Sequence, residues 1–401
     1  MLPSFIVMGG RRLRSLSLFS GIGGLDLSLK GVLKPLVYCE IDPYALAVLH
    51  DQMRKGALHK AVVNTDVRTL TSSWIRTNVK EHPEAIVAGW PCPGHSGAGK
   101  RQSFAHKESG LFREILRLLD EVHTRKYLFL ENVANILNNG MEILVKELHK
   151  KRSFTLIWVV VEAREVGAPH MRRRWFCVAH RQGHLPRAPA FTADGYRPFV
   201  TRWATEPPRT ICAESAKPSK IEARSARKRA FLLGNGVVPD CARYAFLHLL
   251  SEPSRVGQSM SLTRKPVDWP VCGIIERGVI SEIVSPVPRS WREPLPIVLD
   301  AKLYKAPKGH QAKNVLKPLR KKTVLHYWAT PRAHLTSASQ VMTQRTSHDL
   351  PTQIRNEINT PSNERTCTPN PSFLENMMGY PKNYTVAVRN LIGYRSGKAK
   401  V

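Results

Sequence analysis

Cys92 stands between two prolines in the stretch AIVAGWPCPGHSGAGKR (85–101). Flanking prolines keep it out of a regular hydrogen-bonded ladder, and the glycines that follow leave room for a ligand beside the sulfur. A thiol so placed suits a nucleophile, because attack requires both the thiolate and access to it. The other six cysteines, Cys39, Cys177, Cys212, Cys241, Cys272 and Cys367, lack such surroundings and are expected as packed side chains. They form no CxxC pair and no close Cys/His cluster, so neither a metal site nor a disulfide framework is predicted. Their odd number and wide scatter suit a reducing compartment.

A second candidate lies in YLFLENVANIL, where Glu131 and Asn132 follow four apolar positions. A carboxylate at the edge of an apolar strand should have its pKa raised by lost solvation, which lets it donate a proton near neutrality. Asn132 as a helix cap with Glu131 in a salt bridge is the structural alternative. Further on, Arg172, Arg173 and Arg174 fall between two apolar runs. Such a trio is either a solvated turn or a device that binds an anion and pins a reactive group.

The third constellation is glycine-rich. Phe19, Ser20, Gly21, Ile22, Gly23 and Gly24 come directly after an apolar run and before a helical pattern. Glycines there free backbone amides to approach a ligand, as in dinucleotide-binding turns, although such a turn also serves simply to close a strand-to-helix connection. The next apolar run, LVYCEID, ends in Glu40 and Asp42 about twenty residues on, where an acid can accept from ribose hydroxyls and Asp42-Pro43 reads as a helix start. Asp66 closes a third short run, VVNTDVRTL, in a place where it would hold an adenine amino group or serve as a turn aspartate. Three such positions at one sheet edge favour a nucleoside cofactor.

The elements that must carry these groups are apolar runs at 14–19, 36–41, 85–89, 127–131 and 155–161, separated by helical patterns such as 110–122 and 140–151. This alternation predicts an α/β fold, a doubly wound and mostly parallel sheet with helices on both faces. Four segments are expected: a catalytic domain over 1–185, a linker or surface excursion rich in proline and arginine over 186–230, a return to the catalytic domain over 231–250, and a small irregular domain over 251–401. The 401 residues carry 61 basic and 31 acidic groups, a surplus of +30 that points to a polyanionic partner. Residues 1–150 hold 20 basic against 14 acidic groups, 151–250 hold 18 against 7, and 251–401 hold 23 against 10. No apolar run reaches the roughly 18 residues of a membrane span. Arg11, Arg12 and Arg14 follow the short apolar run Phe5–Met8, the wrong charge order for a signal peptide, so a soluble intracellular protein is expected.

Taken in order, FSGIGG (19–24), Glu40, Asp66, PC (91–92) with SGAG (96–99), ENV (131–133), Arg172 with Arg174, and GNGVVP (234–239) resemble the DNA cytosine-5 methyltransferases. The likeness covers about 13–180 and 231–249, and WATPRA (328–333), LPTQI (350–354) and NPSFLENMMGYPKNYT (370–385) are similar to segments of phage-type members. The resemblance implies a Rossmann-like methyltransferase fold, S-adenosylmethionine as cofactor and double-stranded DNA as substrate, acted on by a monomer without metal. It makes Cys92 the nucleophile toward cytosine carbon 6 and Glu131 the group on ring nitrogen 3, with Asn132 in support and Arg172 and Arg174 as orienting groups. It assigns Phe19, Gly21, Gly23, Glu40, Asp66, Asn235 and Val237 to the cofactor, and target recognition to 251–401. Pro93 and His95 replace the glutamine and aromatic usual beyond the cysteine, His170 replaces a glutamine before the arginines, and GNGVVP precedes the recognition region instead of following it. A catalytically silent DNA-binding homologue and a transfer RNA cytosine methyltransferase are the alternatives, the latter disfavoured because no Cys-Phe-Thr tripeptide occurs.

Overall fold

The computed structural model describes residues 11–91, 111–122, 127–168, 170–181, 219–251, 255–262, 269–283, 297–299, 302–304 and 370–395. Cys92, Pro93 and His95 lie outside the described residues, as do Cys212, Cys367, WATPRA and LPTQI.

Five strands form the parallel half of a ten-stranded sheet: β1 (Leu13–Leu18), β2 (Leu33–Cys39), β3 (Val62–Asn64), β4 (Ala85–Gly89) and β5 (Tyr127–Val133). Beyond β5 come β6 (Phe154–Glu162), β7 (Arg173–Arg181), β8 (Arg255–Ser261), β9 (Cys272–Glu276) and β10 (Val279–Ile283), and the order across the sheet is β3-β2-β1-β4-β5-β7-β6-β9-β10-β8. The doubly wound expectation holds, with parallel pairing confined to the first five places; every pair from β5 onward is antiparallel. The short connection between β6 and β7 explains the change, since a parallel neighbour needs a crossover of a dozen or more residues. A separate antiparallel ladder joins β11 (Ile297–Leu299) to β12 (Lys302–Tyr304).

Strand side chains alternate between two cores. Ala85, Val87 and Phe129 enter one, and Ile86, Ala88, Leu128 and Leu130 the other. Burial on both faces is why these strands read as unbroken apolar runs. The second core is covered by α3 (Ser72–Asn78), α4 (Phe112–Glu121), α5 (Ile136–Asn139) and α6 (Met141–Leu144), through residues such as Ile75, Phe112, Ile136 and Met141. The first is covered by α1 (Gly24–Ser28), α2 (Pro43–Arg54), α7 (Lys220–Asn235), α8 (Pro239–Leu250), α9 (Pro371–Met377) and α10 (Ala387–Arg395). The Asp42 carboxylate caps α2 by accepting from the amides of Tyr44 and Ala45 at 2.7 and 3.0 Å.

Two expected boundaries are corrected. The return to the catalytic unit starts at α7, not at residue 231: Ser219 and Glu222 close a reciprocal capping box, so 219–230 belong to a helix and not to the excursion. The described parts of 251–401, chiefly 255–283 and 370–395, also join the catalytic unit. Strands β8, β9 and β10 extend the main sheet, and α9 and α10 sit in its first core with Phe373, Leu374, Met377, Tyr380, Tyr384 and Val388 buried.

Candidate active site

Parallel strands β1, β2, β3, β4 and β5 all end at the same sheet edge, and β7, running the other way, begins there. That edge is where open α/β sheets hold ligands. It gathers the glycine loop, Glu40, Asp66, the Trp90–Pro91 lead into Cys92, Glu131 and the arginines.

At the cofactor end the chain leaves β1 through Phe19 (φ 53°), Gly21 (φ 54°) and Gly23 (φ 78°) before α1 begins. A left-handed Phe19 is a strained choice for a side chain with a Cβ, of the kind that folds retain at ligand sites. Glu40 fixes the loop: its Oε2 accepts from the Gly21 amide at 2.7 Å, and its Oε1 accepts from the amides of Ile41 and Asp42 at 2.9 and 2.8 Å. Burial raises the Glu40 pKa, and these three amides pull it back. Each carboxylate oxygen has two lone pairs, so Oε2 keeps one for a hydroxyl. Beside Gly21 an added Cβ would meet nothing within 4 Å, so the loop faces open space. The neighbouring Ile41 is 66% exposed, a large apolar side chain left uncovered at the pocket edge. Asp66 follows β3 as expected, but both its oxygens engage the exposed Arg68, which with backbone donors holds its pKa below the usual carboxylate value.

At the chemical end Glu131 accepts from Arg174 Nε at 3.0 Å. Burial raises its pKa, while the positive Arg174 and Arg172 oppose the shift. Gly89 lies opposite Glu131 in the β4–β5 register, and a Cβ there would come within 2.8 Å of Glu131 Oε2. Buried Asn132 supports the stretch before Cys92: its Oδ1 accepts from the Val133 amide at 2.8 Å and its Nδ2 donates to the Trp90 carbonyl at 3.4 Å. Arg172 is buried, donates through Nη2 to the Gly236 carbonyl at 2.7 Å, and is lowered to about 9 by burial and by the repulsion of Arg174, so it stays charged at neutral pH. Val237 is buried beside that carbonyl and Asn235 is exposed.

The sequence that carries this site matches a known family. The C-5 cytosine-specific DNA methylase profile matches residues 13–210. Type II methyltransferase M.CviJI of Paramecium bursaria Chlorella virus IL3A is 30% identical over 356 residues, which cover 85% of this chain and 90% of that protein. The chain belongs to the C-5 cytosine-specific DNA methylase family. Type II methyltransferase M.MspI of Moraxella sp is 29% identical over 189 residues, covering 45% of this chain and 42% of the relative. A solved Spodoptera frugiperda DNMT2 mutant superposes with a TM-score of 0.35 and 22% identity over 43% of this chain and 50% of its own.

The protein is thus a DNA cytosine-5 methyltransferase with a virus-encoded relative along most of its length. Among the described residues singled out in the sequence, the methyltransferase has Glu131 in contact with Arg174, Arg172 tied to the Asn235–Val237 turn, and Glu40 bonded to Gly21. A nucleoside-bearing methyl donor fits the open glycine loop, the spare lone pair of Glu40 and the uncovered Ile41. Among the described residues no group of His, Cys, Asp or Glu side chains could hold a metal ion, and no helix is long and apolar enough to cross a membrane.

Sequence reasoning gave no supporting role to four residues that pack around the site. Gly89 makes room for Glu131, a role that only the strand register discloses. His170, which replaces the usual glutamine, is fully buried and is lowered to about 3 by burial and by nearby Arg172. Its neutral ring donates from Nε2 to the Met377 carbonyl at 3.0 Å and accepts at Nδ1 from the Arg172 amide at 3.4 Å. Tyr380 and Tyr384 reach the cofactor side from the distant segment 370–385.

Proposed function

We propose that the methyltransferase moves a methyl group from S-adenosylmethionine to carbon 5 of a cytosine flipped out of double-stranded DNA, through a covalent bond from Cys92. One observation carries the assignment of residues: a desolvated Glu131 paired with Arg174 stands one strand from β4, whose continuation leads through Trp90 to Cys92. Cytosine carbon 5 is a poor nucleophile. Addition of the Cys92 thiolate to carbon 6 pushes electrons toward ring nitrogen 3, where Glu131 donates a proton or hydrogen bond. The resulting enamine is nucleophilic at carbon 5. S-adenosylmethionine, when bound, supplies an electrophilic methyl group. Loss of the carbon-5 proton and expulsion of Cys92 then restore the aromatic ring. Arg174 orients Glu131, Arg172 steadies the turn at Gly236, and Asn132 holds the Trp90 carbonyl so that the approach to Cys92 is fixed.

Phe19, Gly21 and Gly23 line the methionine side of the cofactor, Glu40 takes a ribose hydroxyl, and Asp66 meets the adenine while shared with Arg68. Ile41 offers the ring an apolar face, and Asn235 and Val237 complete the pocket. A target inside the stack must be flipped at a cost of about a few kcal/mol, offset by contacts to the vacated duplex. Within 251–401, residues 284–369 hold 14 basic against 5 acidic groups, which supports them as the recognition region, and the protein acts as a monomer.

The test is incubation with tritiated S-adenosylmethionine and, separately, unmethylated PCR-copied genomic DNA and transfer RNA. Label should enter DNA alone, and Cys92→Ser should abolish transfer while S-adenosylhomocysteine still binds. Full activity of Cys92→Ser sinks the covalent assignment. Label in RNA favours the transfer RNA reading, and no label in either favours a silent homologue.

A further inference from the structure

The segment 370–385 is pinned by a buried carboxylate. Glu375 accepts from Arg229 Nη2 at 2.8 Å, from the Thr385 amide and hydroxyl at 2.8 and 2.6 Å, and from the Asn383 amide at 2.9 Å. Arg229 Nε also donates to Thr385 Oγ1 at 2.7 Å. With the turn fixed, two buried phenols stand with ring centres 4.9 Å apart. Burial raises both pKa values, so each is a neutral donor.

Their hydroxyls serve different elements. Tyr384 donates to the Ile22 carbonyl at 2.9 Å, within the glycine loop, while Gln52 on α2 donates to the Tyr384 carbonyl at 2.7 Å. Tyr380 donates to the Val237 carbonyl at 2.9 Å. The same Tyr380 oxygen fills the space that a Cβ on Gly24 would need, and would lie 3.0 Å from a Cβ on Gly236. Gly236 is the residue whose carbonyl receives Arg172. One hydroxyl therefore spaces the start of α1 from the turn that carries both a cofactor contact and the arginine's acceptor.

We infer that Tyr380 is a positioning residue that sets the cofactor pocket and the seat of Arg172 together, whereas Tyr384 sets the cofactor loop alone. This rests on the cofactor reading proposed above. Removal of the Tyr380 hydroxyl takes away the donor that the Val237 carbonyl has among the described residues, so the turn shifts and takes the Gly236 carbonyl with it.

Tyr380→Phe and Tyr384→Phe are compared by calorimetric binding of S-adenosylhomocysteine and by single-turnover methyl transfer to unmethylated DNA at saturating cofactor. Both variants should bind about 3- to 10-fold more weakly. At saturation Tyr384→Phe should keep its rate within about twofold, while Tyr380→Phe should lose about 3- to 10-fold more. Gly236→Ala presses its new Cβ on the Tyr380 oxygen at 3.0 Å and keeps the hydroxyl, and it should reproduce both effects of Tyr380→Phe by displacing the same junction. A merely structural role would lower the melting temperatures without separating affinity from rate. An unchanged dissociation constant for Tyr380→Phe, or a saturated rate equal to that of Tyr384→Phe, overturns the inference. Failure of the wild-type protein to bind S-adenosylhomocysteine overturns the cofactor reading instead.

Discussion

Gly89→Ala tests whether Glu131 works where it stands. Ordinary contact begins near 3.4 Å, and the new Cβ would lie 2.8 Å from Glu131 Oε2, so the carboxylate must retreat by about 0.6 Å. It can do so only by turning against Arg174 Nε, now 3.0 Å from its other oxygen. The rest of the site accepts the methyl, since Leu25 Cδ1 would be 3.5 Å away and Gly89 does not have a positive φ. Folding should change little, because alanine reduces the freedom of the unfolded chain by about 0.4–1 kcal/mol and so offsets the local shift. Catalysis should suffer more: a reacting group misplaced by about 1 Å costs up to about a hundredfold, so a loss of about tenfold or greater in kcat is expected, about 1.4 kcal/mol on the barrier. The assay is steady-state incorporation of tritiated methyl groups into unmethylated DNA, beside calorimetry with S-adenosylhomocysteine. Cofactor affinity should stay within about twofold of wild type, since the glycine loop is untouched. A full-rate Gly89→Ala enzyme, or one whose rate loss follows an equal loss of cofactor affinity, refutes the argument.

Arg174→Met should move the alkaline limb of the pH profile upward, because the arginine opposes the burial that raises the Glu131 pKa and the proton would leave Glu131 only at higher pH. The check is the normalised single-turnover rate from about pH 6 to pH 10, and a limb that stays or moves down counts against Glu131 as the proton donor. Asp26 accepts from Ser17 Oγ at 2.8 Å, its other oxygen has no hydrogen-bond partner among the described residues, and burial pushes its pKa up to about 7. A carboxyl raised in the folded state binds its proton more tightly there, so its contribution to stability is present at low pH and is lost as pH rises through about 7. Asp26→Asn should therefore gain melting temperature relative to wild type between about pH 5 and pH 8, and a constant difference across that range would exclude a buried titrating carboxyl.

The parallel half of the sheet was legible to within a few residues, since strands buried on both faces must be apolar throughout. Helix α7 was not. Its inward face consists largely of Ser225, Ala226, Arg229 and Ala230, so KIEARSARKRAF shows no broad apolar stripe, and the buried arginine looked like surface charge. Glu375 and Thr385, 146 and 156 positions away, turn Arg229 into a core residue. The short strands β8, β9 and β10 were equally hidden: Gly273, Ser281 and Glu282 interrupt their alternation, and what holds them is the free edge of β6.

Chemistry written in adjacent residues was readable, whereas its support was not. Glu131 with Asn132, and Arg172 with Arg174, announce themselves because each pair is local. The groups that hold them come from far along the chain: His170 meets Met377 across 207 positions, Val237 meets Tyr380 across 143, and Ile22 meets Tyr384 across 362. These contacts also give a physical meaning to the unusual motif order. With GNGVVP ahead of the basic segment 284–369, the chain must pass through that segment and return before Tyr380 and Tyr384 can brace the glycine loop and the Gly236 turn. The hydrogen bonds from Tyr380 to the Val237 carbonyl and from Tyr384 to the Ile22 carbonyl therefore bring the chain beyond the proposed recognition region back against the Gly236 turn and the glycine loop.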